Sequence, residues 1–301
     1  MTELARAAAS ESGDDSGSGQ PVLDRLVNLL DLEKIEENIF RGVSPPNSPT
    51  RVFGGQVAGQ ALVAAGRTVP AERHVHSLHA YFIRGGDPAV PIVYEVDRVR
   101  DGRSFTTRRV TAVQHGKAIF ALSASFQLAE AGVEHAGVMP DVPAPETLPT
   151  LAERVAPYAE TLGDHRVGPR PLDMRYVNDP PWVTRETGGW EGRNQVWMKA
   201  DGVLPDDPLL HVCVLTYASD LTLLDSVLAE HGVYWGLDRV LGASLDHALW
   251  FHRPFRADNW FLYDSTSPTA SGARGLATGR FLAHDGSHIA TVVQEGLVRV
   301  L

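Results

Sequence analysis

Cysteine is almost missing from this chain: one in 301 residues. A lone Cys213 excludes internal disulfides and a cysteine-rich metal site, and its neighbours His211-Val212-Cys213-Val214-Leu215 mark it as a buried packing residue. Long apolar runs are missing too, since no stretch approaches the roughly 20 residues of a membrane-spanning helix. Met1 to Gly19 is small and polar rather than basic and then apolar, so neither anchor nor signal peptide is expected and the expected compartment is the cytoplasm. Arg299-Val300-Leu301 stands where a peroxisomal Ser-Lys-Leu would stand, which argues against that address. Basic charge is in short supply: 27 Lys and Arg against 37 Asp and Glu leave a net −10, which argues against a nucleic-acid partner. An Arg or Lys patch remains compatible with a phosphorylated ligand. No P-loop, H-E-x-x-H or G-x-S-x-G occurs, which removes P-loop nucleotide chemistry, zincin chemistry and the nucleophile-elbow hydrolases. No metal is expected.

What is present is one pattern written twice. His79-Ala80-Tyr81-Phe82-Ile83-Arg84 answers to Ala248-Leu249-Trp250-Phe251-His252-Arg253, with Arg84 and Arg253 standing 169 positions apart. Further on, Gln114-His115-Gly116-Lys117 answers to His284-Asp285-Gly286-Ser287 at an offset of 170, so the register is held almost without gaps. Such a period lies well beyond solenoid repeats and reads as a duplicated structural unit. With 43% apolar residues the chain can bury two ordinary cores, and duplication favours two joined domains.

The boundaries follow from composition. Residues 1–19, rich in Ala, Ser, Gly and Asp, read as a disordered tail. A first domain is expected over 20–130, a proline-rich linker over 131–168 and a second domain over 169–301. Val22 to Leu32 has the spacing of an amphipathic helix. Val52 to Ala65, small and apolar behind the pair Gly54-Gly55, reads as a buried helix packed too closely for large side chains. Strands are expected at His76–Ile83, Ile92–Arg100, Thr106–Gln114 and Ala118–Gln127. The second copy is expected to resume at Asp173–Val177, with strands at Gln195–Ala200, Ser244–His252, Trp260–Ser267, Arg274–Ala283 and His288–Gly296 and a helix near Leu209–Ala218. Each copy is thus expected as one helix followed by consecutive antiparallel strands, an α+β arrangement in which a sheet wraps a helix.

Four stretches carry a resemblance: Phe53-Gly54-Gly55-Gln56-Val57-Ala58-Gly59-Gln60-Ala61; His76 to Asp87; Asp246-His247-Ala248-Leu249-Trp250-Phe251-His252-Arg253-Pro254; and Val293-Gln294-Glu295-Gly296-Leu297-Val298-Arg299. Together they resemble the type II acyl-CoA thioesterases from about Val22 to the C-terminus. The resemblance implies a double hotdog, two tandem hotdog domains each with an antiparallel sheet around a central helix. It further implies hydrolysis of fatty acyl-CoA to fatty acid and CoA by an activated water, without metal or redox cofactor, in a homodimer or homotetramer. The roles of acid, hydroxyl and amide fall on Asp220, Ser244 and Gln294, in the second domain. The family usually carries Thr where this chain has Ser244, a difference that bears on rate rather than on reaction type.

The side chains suit that chemistry. A thioester carbonyl is already electrophilic, so hydrolysis needs a placed water, an acceptor for its proton and donors facing the developing oxyanion. Asp220 sits beside a helical stretch, where backbone N–H groups of a helix N-terminus can polarise a carbonyl; read alone, it passes for an N-cap. Ser244 alone passes for a turn residue. Gln294 is more telling, because an amide ending the apolar run Ile289-Ala290-Thr291-Val292-Val293 is costly to bury without a partner. Its first-copy counterpart, Ala124, has no hydrogen-bonding side chain, which makes the first copy the inactive one on this alignment. His247 reads as a hydrogen-bonded core histidine, and His252 with Arg253 as either surface charge or contacts to CoA phosphates. The Asp206 to His211 spacing matches hotdog hydratases, but Pro208 interrupts it. An enoyl-CoA hydratase and a non-catalytic acyl-CoA-binding protein are the competing readings, the first lacking a working Asp/His pair.

Overall fold

A computed structural model describes residues 19–45, 51–162, 168–235, 238 and 240–301; the expected tail, apart from Gly19, and the end of the expected linker lie outside the described residues. In the first copy α1 (Gln20–Leu30) leads to β1 (Glu33–Glu36), β2 (Ile39–Gly42), α2 (Gly54–Gly66), β3 (Arg73–Phe82), β4 (Ile92–Asp101), β5 (Phe105–Gln114) and β6 (Lys117–Leu128). The connecting stretch holds α3 (Leu151–Val155) and α4 (Ala159–Leu162). The second copy runs β7 (Leu172–Tyr176), α5 (Pro181–Thr187), β8 (Asn194–Ala200), α6 (Pro208–Ser219), α7 (Asp225–Glu230), β9 (Val240–Ser244), β10 (Asp246–Phe251), β11 (Phe261–Ser271), β12 (Arg274–Ala283) and β13 (His288–Val300).

The strands join one antiparallel sheet in the order β1-β2-β4-β5-β6-β3-β10-β13-β12-β11-β8-β7, with β9 also on β13. Read outward from its middle, each half repeats the same order, so the duplication in the sequence is a duplication of topology. The halves meet where β3 pairs β10, with Ala80 opposite His247 and Leu78 opposite Leu249. Two strands precede the helix in each copy, which corrects the expected helix-then-strands order. β1 and β2 escape notice because they are only four residues long and β1 buries neither face, so no alternation marks it.

α2 and α6 lie together inside this sheet. All residues of α2 from Gly55 to Ala65 are buried, as befits a helix apolar on every side. Glycine lets the two backbones touch: a Cβ on Gly55 would stand 2.5 Å from the Tyr217 carbonyl oxygen. The polar residues of α2 are satisfied rather than exposed, with Gln60 donating to Leu29 O and accepting the Tyr94 hydroxyl at 2.7 Å. One apolar core, including Leu62, Phe120, Cys213 and Phe281, runs through both copies. Sheet around helix, twice, is the double hotdog that the resemblance implied.

The proline-rich connector is not loose. It crosses the outer face of the second half, where Met139, Val142 and Leu148 cover Trp197, Leu262 and Leu282. Trp197 Nε1–H donates to Pro143 O at 3.0 Å, which anchors a strand buried on both faces. Among the described residues no helix is long and apolar enough to cross a membrane.

Candidate active site

Asp220 closes α6 as its C-cap, not as the N-cap its residue type suggested. A carboxylate is unfavourable at a helix C-terminus, where the macrodipole is negative. The compensation comes from the other copy: the N-terminus of α2 points at Asp220, and the Gly55 N–H donates to its carboxylate. A Cβ on Gly54 would lie 2.5 Å from Asp220 Oδ2, so only glycine leaves room for this approach. Burial pushes the Asp220 pKa up to about 6, against hydrogen bonds from Gln294, Gly55 and Ser244 that pull it down. The residue keeps a little accessible surface, yet its carboxylate is packed densely enough for desolvation to prevail.

Ser244 and Gln294 meet Asp220. Gln294 Nε2 donates to Asp220 Oδ1 at 3.0 Å and to Ser244 Oγ at 2.7 Å, while Ser244 Oγ reaches Asp220 Oδ1 at a long 3.4 Å. Gln294 is fully buried, which its place at the end of an apolar run foretold. The expected strand Ser244–His252 is broken at Leu245. Ser244 pairs Gly296 and Ala248 pairs Val293, so four steps on one strand answer three on its partner, a β-bulge. Asp246 seals it by accepting the Glu295 N–H at 2.7 Å. Residues three apart on a regular strand face opposite sides, but this extra residue lets Ser244 and His247 both reach Gln294.

His247 is the participant that residue reading placed only in the core. Its Nδ1 stands 2.6 Å from Gln294 Oε1, and its Nε2 stands 2.8 Å from Ser219 Oγ. Proton directions follow from the partners. The Asp220 carboxylate only accepts, so the amide end facing it is the NH2, Oε1 faces His247, and Nδ1 carries the proton. Burial pushes the His247 pKa down to about 4, so the ring is neutral and Nε2 faces the Ser219 hydroxyl, which also donates to Thr216 O at 2.8 Å. The signal for it lay in the repeat: His247 and Gln294 correspond to Leu78 and Ala124, themselves paired between β3 and β6, so two polar residues enter together where the other copy has none. The first-copy counterpart of Ser244 is Val75, next to the same bulge between Val75 and Ser77. The bulge therefore belongs to the fold and the polar cluster to one copy.

The other candidate residues make the following contacts within the chain. His252 Nε2 pairs with Thr291 Oγ1, and Arg253 donates to His288 O and His135 O, which ties β10 to β13 and to the connector. Asp206 accepts from Arg256, Asp207 caps α6 through the Leu209 N–H, and His211 Nδ1 accepts the Ala257 N–H, so the Asp206–His211 spacing makes no pair. Among the described residues no group of three or more His, Cys, Asp or Glu is placed to hold a metal. A cavity of about 240 Å³ is bordered by Tyr217 and Leu221, close to Asp220 in the chain, and by Arg170, Leu172 and Met174; Asp220, Ser244 and Gln294 do not line it.

Fold and site together define a class: a double hotdog whose second copy holds a buried acid, amide and hydroxyl against a helix N-terminus from the first. Comparison with known proteins agrees. The family described as acyl-CoA thioesterase matches residues 169–297, and its N-terminal domain matches residues 43–127. The acyl-coenzyme A thioesterase 8 of Mus musculus is 42% identical over 97% of this chain and 93% of its own length. The crystal structure of the acyl-CoA thioesterase II TesB2 from Mycobacterium marinum is 44% identical, with a TM-score of 0.75 over 92% of this chain and 98% of that one. A conserved protein with a hot dog fold from Alicyclobacillus acidocaldarius, 21% identical with a TM-score of 0.75 over 92% of this chain and 98% of that one, shares the fold. The chain belongs to the type II acyl-CoA thioesterase family, a family of thioester hydrolases.

Proposed function

We propose that this enzyme hydrolyses fatty acyl-CoA to fatty acid and CoA through a water held by Asp220, Ser244 and Gln294, without a covalent acyl-enzyme. The observation that carries the reading is the buried Gln294 amide bridging a carboxylate of pKa about 6 and a hydroxyl. A base poised just below neutral pH is ionised in the resting enzyme yet basic enough to take a proton from attacking water. The water oxygen adds to the thioester carbonyl and its proton passes to Asp220. The tetrahedral centre then breaks its C–S bond, the leaving sulfur takes the proton held by Asp220, and CoA departs as its thiol with the carboxylate restored. Ser244 accepts from Gln294 and turns its own proton toward Asp220 or toward water, so it relays and orients. The positive end of α2 faces the same place and favours the negative charge that grows on the carbonyl oxygen. In this reading the acyl chain runs past Tyr217 and Leu221, which border a cavity of about 240 Å³.

A hydratase would need an aspartate and a histidine acting on one substrate. Gln294 stands between Asp220 and His247, and Asp246 is turned to the backbone of the bulge, which disfavours that alternative. The family resemblance supports acyl-CoA as partner and a homodimer or homotetramer as working unit.

The test is release of CoA thiol from saturated acyl-CoAs, short to long, by wild type, Asp220→Ala and Gln294→Ala. Turnover that collapses in both folded variants supports the water site, and the panel reads out chain-length preference. Thiol release by Asp220→Ala at the wild-type rate would sink the mechanism; binding without any turnover would make the protein an acyl-CoA carrier.

A further inference from the structure

We infer that His247 is a positioning residue, which locks the Gln294 amide in the orientation that presents both of its hydrogens to Asp220 and Ser244. This rests on the water-activation reading of the same site and deepens it. A primary amide keeps nearly the same shape when turned by half a rotation, so packing alone does not choose between its two orientations. Turned over, Gln294 would set Oε1 against Asp220 Oδ1 and take its donor away from Ser244. While Asp220 is ionised, its charge selects the NH2 end. Once Asp220 has taken the proton from water it becomes a donor as well, and that selection lapses within the catalytic cycle. His247 Nδ1–H, 2.6 Å from Oε1, selects the same orientation whatever the charge of Asp220.

The lock has its own support. Ser219 Oγ stands 2.8 Å from His247 Nε2 and 2.8 Å from the Thr216 carbonyl oxygen, so its one proton serves two acceptors, and it is the Gln294 carbonyl oxygen that places the ring proton on Nδ1. Ser219 is the last residue of α6, directly before Asp220, and Tyr263 Oη–H donates to its carbonyl at 2.8 Å, so the lock is built on the same helix end as the acid. Neighbouring titratable and charged groups are Tyr217 on α6, Tyr263 on β11, Asp225 on α7, Asp246 on β10 and Arg170 before β7. Burial raises both phenols, so neither tyrosine titrates in the range of Asp220. His247, pushed down by burial, keeps one charge state through that range. The first copy has Leu78 and Ala124 at these two positions and carries neither lock nor amide.

The experiment compares thiol release across pH for wild type, Gln294→Ala, His247→Leu and His247→Asn. Leucine fills the space without a donor, whereas the asparagine amide nitrogen takes the place of Nδ1–H. His247→Leu should lower kcat by about tenfold or more with KM moved far less, as expected for a group acting on the chemical step. It should also move the acid limb of the profile to higher pH, because a turned amide no longer helps to keep Asp220 ionised. His247→Asn should restore most of kcat and the wild-type limb. Wild-type kcat and limb in His247→Leu, or equal losses in both variants with an unmoved limb, would overturn the inference. Gln294→Ala at wild-type turnover would instead overturn the water site itself. Should His247→Leu not fold, His247→Met carries the test: a kcat loss with unchanged KM and a raised acid limb supports the lock, and unchanged kcat and limb refute it.

Discussion

At the scale of single residues, the raised pKa of Asp220 sets the expected answer to pH. Its folded pKa of about 6 lies above the ordinary aspartate value of 3.8, and the proposed water activation requires the ionised form. The ratio kcat/KM is expected to fall by about tenfold per pH unit below the pKa of about 6, as a single protonation. Stability runs the other way. The native state binds the proton more tightly than the unfolded chain, so stability declines as pH rises from the unfolded to the folded pKa, by roughly 2–3 kcal/mol in all. Replacing Asp220 by Asn removes this cost, and the advantage of the variant in denaturant midpoint is expected to shrink as pH falls from neutral through that window. An advantage independent of pH would mean that the acid titrates normally. At this scale Gln294 was legible, because a buried amide ending an apolar strand demands partners. His247 was half legible: its burial and hydrogen bonding were expected, its partner was not, since β10 and β13 are brought together only by folding.

At the scale of elements, the bulge between β9 and β10 turns alternation into a site. Asp246 accepts the Glu295 N–H there, and Asp246→Ala is expected to leave that group unmatched, at about 1–3 kcal/mol. Ser244 and His247 are then held less firmly, so kcat should fall along with the melting temperature. Asp246→Asn keeps an acceptor and should recover both; a loss of stability with wild-type kcat would show that the bulge supports the sheet alone. The strands on either side were legible as apolar alternation. The extra residue was not, because a one-residue offset is a relation between two strands, and a single strand's pattern contains no record of its partner's register. β1 was missed for a simpler reason: a strand exposed on both faces has no pattern to read.

At the scale of the whole molecule, the acid of the second copy depends on the helix of the first. Gly54 and Gly55 close on Asp220 from α2, and β3 covers the edge of β10. Residues 131–301 produced alone are therefore expected to release no thiol and to aggregate through the uncovered β10 edge and the uncovered face of α6. Production together with residues 1–130 should restore measurable turnover. Turnover by the isolated second half would show that the α2 N-terminus is dispensable. This dependence also gives the Gly54-Gly55 pair a second meaning: small residues read as tight packing, but they also clear a path from backbone N–H to carboxylate.

The amino-acid sequence by itself determined the duplication, the two buried helices, most of the strands, the family and the three candidate residues, because apolar periodicity and local motifs are properties of neighbouring positions. Tertiary structure alone decided which helix end faces Asp220, that Ser244 and His247 reach the same amide, and that the connector seals the outer face of the second half. Each of these depends on contacts between positions far apart in the chain, and a sequence read along its length records the side chains that will meet without recording where they do.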